Sequence, residues 1–290
     1  MSEAVTDARP VLVEAIGLGK SYPKRHATDP DSALEGFDLV VRAGEAVVLA
    51  GGNGAGKSTA LRILAGIEEP SRGRALVGGL PPRALAARRM TGWLPDTAEL
   101  FPFLDWRETL DFFVKLADGE RAALTARAAE LAETFGLTAF GRKRVRTYSL
   151  GMRRRLAIAA TLVAAPRVLL LDEPIGGLDP DGQHLFSEVM RREKDRGAAL
   201  VVSSHHLGRS EEFADRLVVL RRGRIGLAGA MGELAERLGS RDITAHGLDG
   251  AALAALADRA RELGGTLDAP RLAASEIESF ILDADPETPA

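Results

Sequence analysis

Gly51-Gly52-Asn53-Gly54-Ala55-Gly56-Lys57-Ser58-Thr59 is the stretch whose reading decides the fold. It fits the pattern G-x-x-x-x-G-K-[ST], in which glycines let the backbone wrap so that several N–H groups point at one phosphate. A helix beginning directly after such a loop adds the partial positive charge of its N-terminus. Lys57 suits the β- and γ-phosphates, the Ser58 hydroxyl suits Mg²⁺, and Thr59 is placed for the α-phosphate. The flanking sequence agrees. Ala46–Ala50 is a short, unbroken apolar run of the kind buried in a sheet, and a helix is predicted from about Lys57.

Outward from this loop, residues 11–18 and 37–41 read as strands, joined through a polar hairpin loop at 26–32. From Trp106 to about Gly136 the period becomes helical: Leu110, Phe113, Val114 and Ala117 recur, then Leu124, Ala128, Leu131 and Phe135. Strand patterns return at Val168–Leu171, 199–203 and 217–220, the first two followed by polar, helix-compatible stretches. Such alternation predicts an α/β fold with a mainly parallel sheet and its sites at the strand C-termini. Residues 1–10 are expected to be disordered. Residues 239–290, rich in alanine and aspartate, are expected to form a small extension with a frayed tail. Each motif occurs once, so residues 11–238 hold one unit and not a tandem pair.

Composition narrows the options. The chain has 290 residues and a formal net charge of -3, which argues against a dedicated nucleic-acid binder. It contains no cysteine, so disulfides, thiolate metal sites and cysteine nucleophiles are excluded together, and a reducing compartment fits. The longest apolar run, 156–165, has about half the length of a membrane span. The polar, acidic start is unlike a signal peptide, so membrane association is expected through a partner.

Two further features bear on chemistry. The strand at Val168–Leu171 ends in Asp172-Glu173-Pro174. Beside a phosphate loop, Asp172 can hold Mg²⁺ through water, and Glu173 can orient or deprotonate an attacking water. His205, after the strand at 199–203, can donate a hydrogen bond to a γ-phosphate and keep water and Glu173 in line. His206 reads as a solvated loop residue.

The stretch Tyr148-Ser149-Leu150-Gly151-Met152-Arg153-Arg154-Arg155-Leu156 resembles the signature motif of ABC (ATP-binding cassette) ATPases, in the form common in drug and polysaccharide exporters. Gly177-Leu178-Asp179-Pro180 is similar to the family's D-loop, Ser203-Ser204-His205 to its switch histidine, and Tyr22 to the aromatic that stacks on adenine. In order and spacing the likeness covers about residues 11–230. It implies a P-loop NTPase of ABC type, with an antiparallel β subdomain and a helical subdomain inserted at about 90–165. It also implies ATP and Mg²⁺ as ligands, and a second ABC ATPase subunit that packs head to tail, a homodimer for preference. Ser149, Leu150, Gly151 and Met152 would then form the signature that completes the γ-phosphate site of the opposite subunit, with Asp179 as the D-loop residue. A separate multi-span permease would hold the pair at the inner face of the cell membrane, with no nucleic acid involved. The alternatives the resemblance leaves are an importer ATPase, or a soluble ABC ATPase acting on ribosome or DNA.

The sequence departs from the family pattern in places. Gly52 stands where proline is common, and Leu150 replaces the first signature glycine. Asp96, in Gly92-Trp93-Leu94-Pro95-Asp96, replaces a glutamine that senses Mg²⁺ and the permease. An aspartate can approach Mg²⁺ through water but cannot donate a hydrogen bond; it is also what an ordinary acidic loop would hold. The apolar loop 100–106 fits either a permease contact or burial within the helical subdomain. The arginines at 142–146 and 153–155 are read as a solvated helix face with electrostatic support for nucleotide; a nucleic-acid surface would need an aromatic–basic platform, which is missing.

Overall fold

The computed structural model describes residues 8–23, 31–204 and 210–234. In chain order the strands and helices are β1 (Val11–Tyr22), β2 (Asp31–Arg42), β3 (Ala46–Ala50), α1 (Lys57–Leu64), β4 (Arg72–Val77) and α2 (Leu85–Arg89). There follow β5 (Thr91–Leu94), α3 (Trp106–Leu116), α4 (Arg121–Thr134), α5 (Leu150–Leu162) and β6 (Val168–Leu171). The last are α6 (Pro180–Asp195), β7 (Ala199–Ser204), β8 (Arg216–Arg221) and β9 (Arg224–Ala230).

They form two sheets. The larger has the order β5-β6-β7-β3-β8-β9, parallel throughout except for the antiparallel edge strand β9. The smaller is the antiparallel set β2-β1-β4. The central strands are buried along their whole length, as expected where both faces of a parallel sheet are covered.

Strand alternation sends side chains to two separate cores. Val48, Leu169, Leu171, Leu200 and Val202 pack with α3, α4, α5 and α6 on one face. Val47, Leu49, Val168, Leu170 and Val201 pack with α1 and the small sheet on the other.

The strands at Ala46–Ala50 and Val168–Leu171 run as the sequence predicts. The hairpin loop expected over 26–32 is shorter at its far end, because Asp31 and Ser32 pair with Tyr22 and Ser21 in the antiparallel ladder; residues 24–30 lie outside the described residues. The helical stretch begins later than the expected residue 90. Thr91–Leu94 is strand β5, hydrogen-bonded in parallel to β6, so the sheet claims it. The helical stretch from Trp106 consists of the two helices α3 and α4. The first opens on a capping box, with Asp105 accepting from the Arg107 and Glu108 N–H groups while Glu108 accepts from the Asp105 N–H. Helical hydrogen bonding lapses over 117–120, where Gly119 has φ +137°. The strands β4 and β9 lack a clear period in the sequence and exist because partner strands pair with them. Residues 1–7 and 239–290, where disorder and a small extension were expected, also lie outside the described residues. Among the described residues no helix is long and apolar enough to cross a membrane.

Candidate active site

The strands β6, β7 and β3 are adjacent and parallel. Ala50 lies opposite Ser204, and Leu171 opposite Val202, so the strands end on the same edge of the sheet, with β6 two residues short of the others, and the loops after β3 and β6 leave from that edge.

The glycine loop leaves β3. Gly51 has φ +144° and a Cβ there would lie 2.4 Å from the Leu220 carbonyl oxygen; Gly56 has φ +105° and a Cβ would lie 2.4 Å from the Ala33 carbonyl oxygen. Backbone conformation and space therefore both demand glycine at these two positions. Gly52, Asn53 and Gly54 form the exposed outer arc, and Ala55 turns its methyl into the core. Gly56 is the N-cap of α1 and supplies no capping side chain, so the first N–H groups of the helix keep their donor capacity. Lys57 is buried, its Nζ donating to the carbonyls of Gly51 at 2.6 Å and Gly52 at 3.3 Å.

The carboxylates leave β6. Asp172 is buried and its Oδ1 accepts from Ser203 Oγ at 2.6 Å and Ser58 Oγ at 3.1 Å. Ser203 in turn accepts from the Glu173 N–H at 2.9 Å. Glu173 has φ +46°, a left-handed conformation that costs a non-glycine residue about 1–3 kcal/mol. That turn directs consecutive carboxylates apart: Asp172 toward Ser58, Glu173 to within 3.7 Å of the Lys57 ammonium.

Above the small sheet, the Tyr22 hydroxyl donates to Glu68, whose other oxygen accepts from Arg62 Nε at 2.6 Å. Arg62 also reaches the Thr59 hydroxyl at 3.4 Å, and Lys20 lies 5.2 Å from the Tyr22 ring centroid. Burial raises the Glu68 pKa, but the hydrogen bonds from Tyr22 and Arg62 outweigh it and hold the carboxyl below its usual range.

Helix α5 carries the fourth set. Ser149 is its N-cap, accepting from the Met152 N–H at 3.2 Å. Leu150 is exposed beside it and lies against Gly177, where a Cβ would come within 2.6 Å of the leucine side chain. Gly151 sits so close to the Gly177 carbonyl oxygen that a Cβ would lie 2.9 Å from it. Asp179 is the N-cap of α6, accepting from the Gly182 N–H at 3.0 Å and from Arg155 at 2.7 Å. The Arg155 hydrogen bond, then the Gly182 N–H, hold its carboxyl below the usual range.

A phosphate loop and a carboxylate pair thus leave the ends of parallel strands, and a capped serine-glycine helix start lies against the turn that follows the carboxylates. Residues 34–176 match the family profile described as ABC transporter. A daunorubicin resistance ATP-binding protein of Streptomyces coeruleorubidus is 39% identical over 209 residues, 71% of this chain and 66% of its own length. This chain thus spans just under two thirds of that relative. The Nod factor export ATP-binding protein I of Burkholderia orbicola is 34% identical over 258 residues, 88% of this chain and 83% of its own. The chain belongs to the ABC transporter ATP-binding proteins. A solved ATP-binding subunit of an ABC transporter superposes with a TM-score of 0.71 at 29% identity, over 80% of this chain and 95% of that one.

As a member of the ABC transporter ATP-binding proteins the chain is an ATP-binding protein. The structure gathers Lys57, Ser58, Asp172 and Glu173 into one hydrogen-bonded or ion-paired group. Tyr22 and Thr59 join it through Glu68 and Arg62. His205 and His206 lie outside the described residues. Asp96 is not in contact with Ser58 or Asp172 in any hydrogen bond; its side chain is 65% exposed and faces Arg154 at 3.6 Å. Of the arginine clusters, Arg154 departs from the expected solvated face. It is 6% exposed, and its guanidinium donates to the carbonyls of Pro95 at 3.2 Å, Asp96 at 2.5 Å and Gly176 at 3.2 Å. Burial pulls its pKa down, while the charges of Asp96, Asp172 and Glu173 oppose that. Sequence reasoning also passed over Glu68 and Arg62, and named Ser203 only as part of the switch-histidine motif, without its bonds to Asp172 and Glu173. A carboxylate or arginine at a strand or helix end carries no local mark of the partner that folding brings to it.

Proposed function

We propose that this chain is the ATP-driven subunit of an exporter, and that Glu173 is the general base of hydrolysis. The observation that carries this is Glu173 itself, held at φ +46° with its N–H tied to Ser203 and its carboxylate 3.7 Å from Lys57. Strain kept at one residue and fixed by its neighbours is typical of sites that need a group pointed away from the regular strand. Lys57 sits on the carbonyls of its own loop and would swing from them to the β- and γ-phosphates of ATP. The free N–H groups of the glycine loop and of the α1 start receive the phosphate oxygens. Tyr22, braced by Glu68 and Arg62, offers its ring to the adenine.

The Ser58 and Asp172 oxygens, 3.1 Å apart, fit a hard divalent cation that keeps most of its water and completes its shell from phosphate. Mg²⁺ bound there would neutralise charge developing on the γ-phosphate. His205, which follows β7 in the sequence, would steady the water. Asp96 would approach the cation only through water, since its carboxylate now faces Arg154.

Ser149 and Gly151 belong to a helix start whose serine caps it and whose glycine permits close approach, which supports a γ-phosphate contact made across a head-to-tail dimer. Leu150, exposed on that edge, and Asp179, at the start of α6, would meet the second subunit. A membrane permease is the partner we assign to the far side. Phe103 is 74% exposed and Phe101 49%. Beside β5 runs a groove of about 440 Å³ lined by Trp93, Pro95, Leu100, Phe113 and Leu116, suited to an apolar segment of a partner. The relatives named for drug resistance and Nod factor export favour export over import, with the chain at the cytoplasmic face of the membrane.

Glu173→Gln tests the assignment. The variant should bind ATP normally, hydrolyse it at least about a hundredfold more slowly, and accumulate as an ATP-bound dimer in size-exclusion chromatography. Normal turnover by this variant would exclude Glu173 as the base.

A further inference from the structure

Arg154 is the one arginine of the 153–155 run whose side chain is buried, and nothing in the ATP reading uses it. It stands in the second turn of α5, five residues past the Ser149 cap. Its planar head takes carbonyls from two different loops: Pro95 and Asp96 after β5, and Gly176 after β6. The first of those loops lines the groove that holds Phe113 and Leu116, and the second is the turn that follows Glu173. The carboxylate of Asp96 stands 3.6 Å from the same guanidinium. An arginine fork is suited to this duty, because its five donors are fixed in one plane.

We propose that Arg154 is a positioning residue for hydrolysis, pinning the Pro95–Asp96 loop and the Gly176 turn to the start of α5. Movement at the groove is thereby carried to Glu173 and to Ser149 as one rigid unit. The inference rests on Glu173 being the hydrolytic base. Asp96 gains a defined setting in this arrangement. Its backbone carbonyl is anchored by Arg154, and its carboxylate supplies counter-charge alongside those of Asp172 and Glu173. Neighbouring contacts reinforce the unit without duplicating it: Leu150 packs on Gly177, and Arg155 pairs with Asp179. The ATP-holding atoms of Lys57 and Ser58 make none of their hydrogen bonds to Arg154. Binding and turnover should therefore separate.

The test uses the full chain with Mg²⁺ and two variants. Arg154→Met keeps the apolar stem and removes the fork, whereas Arg154→Lys keeps the charge but not the three-carbonyl geometry. Both should bind a fluorescent ATP analogue within about threefold of the parent, while kcat for ATP falls about ten- to a hundredfold, the range expected of small misplacements of a reacting group. Lysine should fail to restore turnover, because the proposal turns on geometry. Wild-type kcat in Arg154→Met overturns the inference, and so does full rescue by lysine, or a loss of affinity equal to the loss of kcat. Should Arg154→Met not fold, Arg154→Lys alone decides on the same split. Glu173→Gln measured alongside keeps the two claims apart: its normal turnover would overturn the base assignment, whereas wild-type turnover by the Arg154 variants beside an inactive Glu173→Gln overturns only this one.

Discussion

Lys57 shows how much one side chain can decide. Its ammonium is buried yet bonded to two loop carbonyls and faces Glu173, so in the absence of nucleotide its charge is compensated locally. ATP must draw it away from those partners, and the gain comes from charge-assisted bonds to phosphate, stronger than those to neutral carbonyls. Lys57→Ala removes that gain and leaves the Gly51 and Gly56 conformations untouched. We expect its ATP affinity, measured by isothermal titration calorimetry, to fall at least about tenfold, the equivalent of one lost charged hydrogen bond. The fold should remain intact, so a normal circular dichroism spectrum with unchanged ATP affinity would contradict the phosphate role.

At the scale of elements, the helix starts do most of the work. Helix α1 begins on Gly56 without a side-chain cap, whereas α5 and α6 begin on Ser149 and Asp179, each satisfying an N–H from its own side chain. The difference is chemical: uncapped N–H groups are available to an anion, and capped ones are partly spent. Asp179 has a second duty, its bond to Arg155 joining the α6 start to α5. Asn caps as well as Asp but carries no charge for Arg155. Asp179→Asn should therefore leave the melting temperature within about 1 °C and lower ATP turnover, whereas Asp179→Ala should lower both. Because the folded pKa of Asp179 is depressed, its ionised contacts are complete above the ordinary carboxylate range and are lost as pH falls through the lowered value. An Asn variant with full turnover would leave the Asp179–Arg155 pair a surface contact only.

For the whole molecule, the decisive feature is a sheet covered on both faces. Leu169 and Leu170 are adjacent in β6, yet one belongs to the core built with the helices and the other to the core built with α1 and the small sheet. In a half-solvated sheet, truncating one of two neighbours would be nearly neutral. Here Leu169→Ala and Leu170→Ala should each cost about 2–5 kcal/mol in urea unfolding. A near-neutral result at either position would contradict the doubly covered arrangement. The same layering places Asp172 and Glu173 at the sheet's edge of exit, backed by rigid strands on both sides.

By itself the sequence determined the features set by local rules. The phosphate loop is legible because glycine, lysine and hydroxyl must stand at fixed offsets for one backbone wrap, and the buried strands because four or five apolar residues in a row allow few other fates. Asp172 and Glu173 could be read from their place at the end of such a strand. Other features required the tertiary structure. Thr91–Leu94 is too short to declare itself, and it is a strand because β6 offers it parallel hydrogen bonds. Glu68 and Arg62 brace Tyr22 from 46 and 40 positions away in the chain, and Ser203 reaches Asp172 from another strand. Arg154 lay within a run of three arginines that looks uniform in one dimension. Only the packing of α5 against two loops turns one of the three inward, because a helix of 3.6 residues per turn gives neighbouring side chains different surroundings.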